Sequence, residues 1–161
     1  MAAITPPGRR RIEDLLARYA WAFDVADMDT VGDCLTEDAT FTIEIARAGR
    51  IVTRRGRLNI VTAFATTARS TATASGTPLR HVVTNVAWDP IDGDHAVASS
   101  YMPTFRIDES GLRPVSLSRC VDQVVLQDGG WRFEARRLIF DTPMSTDTPF
   151  FILPGVADGE P

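Results

Sequence analysis

The stretches LRHVVTNVAWDP (79–90), HAVASSYMPTFRI (95–107), VSLSRCVDQVVL (115–126) and WRFEARRLIF (131–140) decide the fold. Each is rich in β-branched and aromatic residues that suit a pleated, half-buried surface. Between them stand Asp92-Gly93-Asp94, Glu109-Ser110-Gly111 and Asp128-Gly129-Gly130, residue types that accept the tight backbone of a turn. Strands over 81–88, 96–107, 115–126 and 131–140, joined as a meander, are therefore expected. Working backwards, 39–45 and 51–54 read as a further hairpin around Ala48-Gly49-Arg50.

The first third of the chain has a different period. Ile12, Leu15, Leu16, Tyr19 and Phe23 recur every three or four residues, which predicts an amphipathic helix over 9–25. A short second helix carrying Val31, Cys34 and Leu35 is expected after Asp27-Met28-Asp29, with Asp29 as its N-cap. Leu58, Ile60, Val61 and Phe64 fit a third helix of about three turns. The Ser- and Thr-rich run 70–78 then reads as a loop and a lid candidate. Helices first and strands last make this an α+β chain. The expected organisation is an N-terminal arm over 1–10, one domain over 11–141, and a proline-rich tail over 142–161 whose apolar patch 150–153 folds back over the domain.

Composition bounds the function. At 161 residues and 44% hydrophobic, the chain is long enough for one packed core. A net charge of -4 argues against a protein that binds phosphate backbones, so no nucleic acid is expected as partner. No apolar run is long enough for a secretory signal or a membrane span, which makes a cytoplasmic protein without membrane contact the expectation. Cys34 and Cys120 lack companions at metal-ligand spacing, and there is no glycine-rich phosphate loop; neither metal nor cofactor is expected.

Four strings resemble the SnoaL-like, nuclear-transport-factor-2-like family: RYAWAFD (18–24), LTEDATF (35–41), RHVVTN (80–85) and WRFEARR (131–137). The resemblance covers about residues 10–141 and implies a cone-shaped barrel, in which three N-terminal helices pack on a strongly curved mixed sheet around a ligand pocket, commonly in a homodimer. It also implies acid/base chemistry by a dehydratase, isomerase or cyclase on a hydrophobic cyclic molecule such as a polyketide, steroid or terpenoid. A different class within the family is a noncatalytic assembly or ligand-binding module, like the β subunits of ring-hydroxylating dioxygenases.

Only two histidines are available for proton transfer near neutral pH, and His95 sits in a turn. The family resemblance places an acid at the end of the first helix, here Asp24, opposite a histidine, here His81. On a helical wheel Asp24 lies about 110° from the apolar stripe, a boundary position that equally suits a solvated carboxylate. Tyr19, five residues earlier, is either a substrate hydrogen-bond partner or part of the core stripe. Phe41, Tyr101 and Arg119 complete the expected substrate-binding set, with strand parity able to turn Tyr101 outward. Arg119 stands near where scytalone dehydratase relatives carry a second histidine, and a guanidinium is a poor proton shuttle. Arg136 and Arg137 point to opposite faces of the last strand, so at most one enters the pocket.

Overall fold

In a computed structural model of the chain, residues 6–75, 79–90 and 92–141 are described, the side chains of 6–7, 67–75 and 90 excepted. Three helices, α1 (Pro6–Asp24), α2 (Met28–Asp33) and α3 (Arg57–Ser75), accompany seven strands: β1 (Leu35–Ile45), β2 (Arg50–Arg55), β3 (Leu79–His81), β4 (Thr84–Pro90), β5 (His95–Asp108), β6 (Gly111–Gln127) and β7 (Gly130–Phe140). The sheet runs β2-β1-β7-β6-β5-β3, with β4 also paired to β5. Every pairing is antiparallel except β1 with β7, so the sheet is mixed. It is curved, is not closed into a full barrel, and carries the helices on one face.

Alternation along the strands decides what the inner face holds. Phe41 and Ile43 of β1, Ala96, Ala98 and Met102 of β5, Cys120 and Val124 of β6, and Phe133 and Leu138 of β7 are all buried. Against them pack Ile12, Leu15, Leu16 and Tyr19 of α1 and Ile60 and Phe64 of α3. Burying side chains of this size contributes about 1.5–3 kcal/mol each, which outweighs local propensity in fixing the helices on the sheet.

Several boundaries depart from the sequence reading. Helix α1 starts at Pro6, so 6–10 are helical rather than part of an arm; proline is at home in the first turn, where its missing N–H has no helical partner to lose. Helix α3 runs to Ser75, so 70–75 do not form the expected loop, because alanines spaced through Thr and Ser sustain a helix that already has a packed first half. The lid candidate's last residues, 76–78, and the tail lie outside the described residues. The strand expected over 81–88 is two strands, separated at 82–83, with Asn85 in a left-handed conformation (φ 54). The N-cap of α2 is Asp27, whose Oδ1 accepts from Thr30 N at 3.1 Å, while Asp29 falls inside the first turn, where its charge suits the helix dipole.

Candidate active site

Helix α1 ends in a Schellman turn. Asp27 N donates to Ala22 O at 2.8 Å and Ala26 N to Phe23 O at 3.2 Å, with Ala26 in the left-handed region (φ 58). Asp24 therefore occupies the last helical turn, where unpaired backbone carbonyls disfavour a carboxylate. Its compensation comes from β3. His81 N donates to Asp24 Oδ2 at 3.0 Å and to Oδ1 at 3.2 Å, and His81 Nδ1 lies 2.6 Å from Oδ1. The two side chains are only 8% and 7% exposed, so water competes weakly for this contact. Two strand features hold the histidine: His81 pairs with Thr104 across β3 and β5, and the chain then breaks, with Val82 N donating to Pro103 O at 3.0 Å.

A carboxylate on Nδ1 fixes that nitrogen as the proton-bearing one and leaves Nε2 with its lone pair. The ring is also braced by carbon: Phe23 meets it edge-on, with centroids 5.3 Å apart. Behind Phe23, an aromatic chain continues through Phe64 at 5.2 Å to Phe41, another 4.9 Å on. Phe41 is thus a buried member of this apolar cluster, two rings removed from the one that touches His81.

Tyr19 is also buried, with its ring 6.3 Å from Phe23 and edge-on to Phe133 at 5.3 Å. Burial pushes its phenol well above the ordinary range, so it stays protonated. The guanidinium of Arg136 lies over it, 4.3 Å from the Tyr19 centroid and 4.4 Å from that of Phe133. Arg136 is the member of the Arg136–Arg137 pair that turns inward. Arg137 faces out and bonds Glu44, its Nε donating to Oε2 at 2.9 Å.

Beneath Arg136 lies Asp122 of β6, which the sequence reading passed over. Arg136 Nε is 3.0 Å from Asp122 Oδ1, and both side chains are almost wholly buried. Burial pushes the Asp122 carboxyl up to about 6, against the pull of Arg136. At that distance and burial the two side chains form an ion pair closed off from water, each the other's main electrostatic partner. The signal for this pair was an acid within β6 at the same parity as Cys120 and Val124.

Parity also explains where Tyr101 and Arg119 go. Ser100 and Met102 are buried on the inner face of β5, and Ser118 and Cys120 on that of β6, so the residues between them point out. Tyr101 and Arg119 are exposed cross-strand neighbours on the outer face, where Arg119 bonds Asp141 through Nε and Nη2, each at 2.9 Å. The structure does not bring these two to the dyad. Elsewhere, a groove of about 600 Å³ between β2 and α3 is lined by Arg54, Arg55, Asn59 and three threonines. Among the described residues, no group of three or more His, Cys, Asp or Glu side chains is placed to hold a metal ion, and no helix is long and apolar enough to cross a membrane.

Comparison with known proteins sets these features in a family. Among solved structures, the chain is similar to a protein of unknown function from Mycobacterium tuberculosis, at 27% identity and a TM-score of 0.70, covering 88% of this chain and 81% of that one. A putative aromatic ring hydroxylase from Novosphingobium aromaticivorans is 26% identical with a TM-score of 0.70, covering 89% and 95%. A Catenulispora acidiphila protein in complex with S-DNPA shares the fold at 21% identity and a TM-score of 0.70, covering 85% and 96%. No match is found among curated protein sequences. The model of the SnoaL-like domain matches residues 7–137, which include every element from α1 to most of β7, and the chain belongs to that family.

Proposed function

We propose that this chain is a cofactor-independent acid/base enzyme, a dehydratase, isomerase or cyclase, acting on a hydrophobic cyclic small molecule. The observation that carries the reading is the 2.6 Å contact between Asp24 and His81 in a nearly water-free setting against Phe23. In a dehydration, His81 Nε2 takes a proton from a carbon next to a carbonyl, and the C–H electrons form an enolate. The enolate collapses to a C=C bond, the β C–O bond breaks, and the departing oxygen takes the proton back from the imidazolium to leave as water. Asp24 holds the tautomer and stabilises the imidazolium between the two transfers. Isomerisation uses the same base but returns the proton to another carbon.

Substitution of His81 by Ala or Asp24 by Asn should lower turnover of a hydroxy-ketone substrate by about 10²–10⁴-fold. The readouts are loss of water by mass and uptake of solvent deuterium at the carbon acid. Undiminished turnover in both variants refutes the dyad.

A second reading, a noncatalytic assembly module, draws support from the likeness in fold to the β subunit of a putative aromatic-ring-hydroxylating dioxygenase from Novosphingobium aromaticivorans, at 17% identity and a TM-score of 0.68. It predicts no turnover and no deuterium exchange in the wild-type protein with any member of a hydroxy-ketone panel. Under either reading we propose a homodimer that uses the outer face of the sheet, where Ile51, Tyr101, Leu117 and Val121 are exposed. Sedimentation should give a dimer that Leu117→Glu with Val121→Glu converts to a monomer.

A further inference from the structure

The polar side of α3 has an order of its own. Asn59, Thr62, Ala63 and Thr66 stand at the three- and four-residue spacing that puts side chains on one helical stripe, while Ile60 and Phe64 turn into the core. That stripe faces Thr53, Arg54 and Arg55 of β2 across the groove of about 600 Å³. Strand β2 ends the sheet on its side, so no further strand among the described residues fills the space beyond it. Consecutive residues of a strand point to opposite faces. Arg54, the register partner of buried Phe41, therefore comes to the groove from the inner face of β2, and exposed Arg55 from the outer one. Asn59 Nδ2 donates to Arg55 O at 3.0 Å, which ties the helix to the strand and leaves its second N–H for another acceptor.

The charge of this corner runs against that of the chain. Residues 47–57 carry five arginines and no acid, in a protein of net charge -4. No carboxylate is among the described residues that line the groove, and among the described residues Arg55 has no ion pair. A cation would meet two guanidinium groups, and a neutral ligand would leave Arg55 without a counter-charge. An oxyanion gains charge-assisted, paired hydrogen bonds from such groups. Ala63 and the methyls of the threonines add an apolar wall, which suits a ring or a short chain. We propose that β2 and α3 form a binding groove for a small organic molecule that bears a phosphate or a carboxylate. Arg54 and Arg55 clamp the headgroup, Asn59 and Thr62 donate to it, and Ala63 meets the apolar body. None of these residues belongs to the dyad or to the rings around it, so this is a second site beside the proposed acid/base one.

Calorimetric titration of the full chain with phenyl phosphate, benzoate, inorganic phosphate and benzyl alcohol tests it. One of the two aryl anions should bind at least about tenfold more tightly than benzyl alcohol, which has the ring without the charge, and severalfold more tightly than inorganic phosphate, which has the charge without the ring. The tighter of the two identifies the headgroup. Arg55→Gln, a change at an exposed side chain that does not endanger folding, should weaken that anion about tenfold. Arg113→Gln, which removes an equal charge from the exposed end of the β5–β6 hairpin, should leave its affinity unchanged, and so should His81→Ala. Anions that bind no better than benzyl alcohol, inorganic phosphate that binds as tightly as phenyl phosphate and benzoate, an equal loss in Arg113→Gln, or a loss in His81→Ala each overturns the proposal. Failure of the acid/base reading is seen separately, as turnover surviving His81→Ala.

Discussion

Asp24 illustrates how a residue's neighbours reverse its prospects. At the carboxyl end of a helix its charge is disfavoured, yet one residue of β3 supplies it with both a backbone N–H and an imidazole nitrogen. The turn that aims it is strained, because Ala26 adopts a left-handed backbone that glycine tolerates at no steric cost. Ala26→Gly should stabilise the protein by about 0.5–1 kcal/mol, read as a higher urea midpoint at unchanged slope. Asp122 carries a pH signature. Its folded-state pKa is raised to about 6 by burial, so the folded chain holds a proton that the unfolded chain releases in the window between the ordinary carboxylate value and about pH 6. The contribution of this group is therefore full below that window and is lost as pH rises through about 6. Urea midpoints of the wild type relative to Asp122→Asn should fall over that interval.

At the scale of elements, the strands were legible because alternation and turn residues agree, and β5, β6 and β7 lie within a few residues of expectation. Helix α3 was not, since Ser and Thr at 70–75 read as a loop on composition while packing by Ile60 and Phe64 had already committed the helix. The Asp24–His81 pair was placed by family position; a helical wheel left Asp24 on a boundary because its orientation depends on the turn at Ala26. Asp122 escaped notice because charge suggests surface, although parity in β6 aims it inward with Cys120 and Val124; Arg136 turns to the same face because the register shift between Phe133 and Ala135 puts it in phase with Leu138. Phe64 joins two elements to the site, touching Phe41 on one side and Phe23, the brace of His81, on the other. Phe64→Ala should cost about 3–5 kcal/mol in urea unfolding.

For the whole molecule, the division between faces organises function. The inner face gathers the aromatic cluster, the dyad and the Asp122–Arg136 pair, whereas the outer face displays ion pairs such as Arg119–Asp141 among exposed apolar residues. The proposed function assigns the small molecule to the inner face, and the proposed homodimer assigns the second subunit to the outer one.

Among the described residues the one parallel pairing joins β1 to β7, and it brings together residues as far apart in sequence as Glu44 and Arg137. Their meeting has a temporal meaning on the ribosome. The first strand is synthesised early and must wait, unpaired on that edge, until nearly the whole domain has been translated. Long-range pairing of this kind slows folding and leaves sticky intermediates. Nascent chains stalled before β7 emerges would expose the inner face to chaperones, and the helix bearing Asp24 would have no finished sheet to settle on.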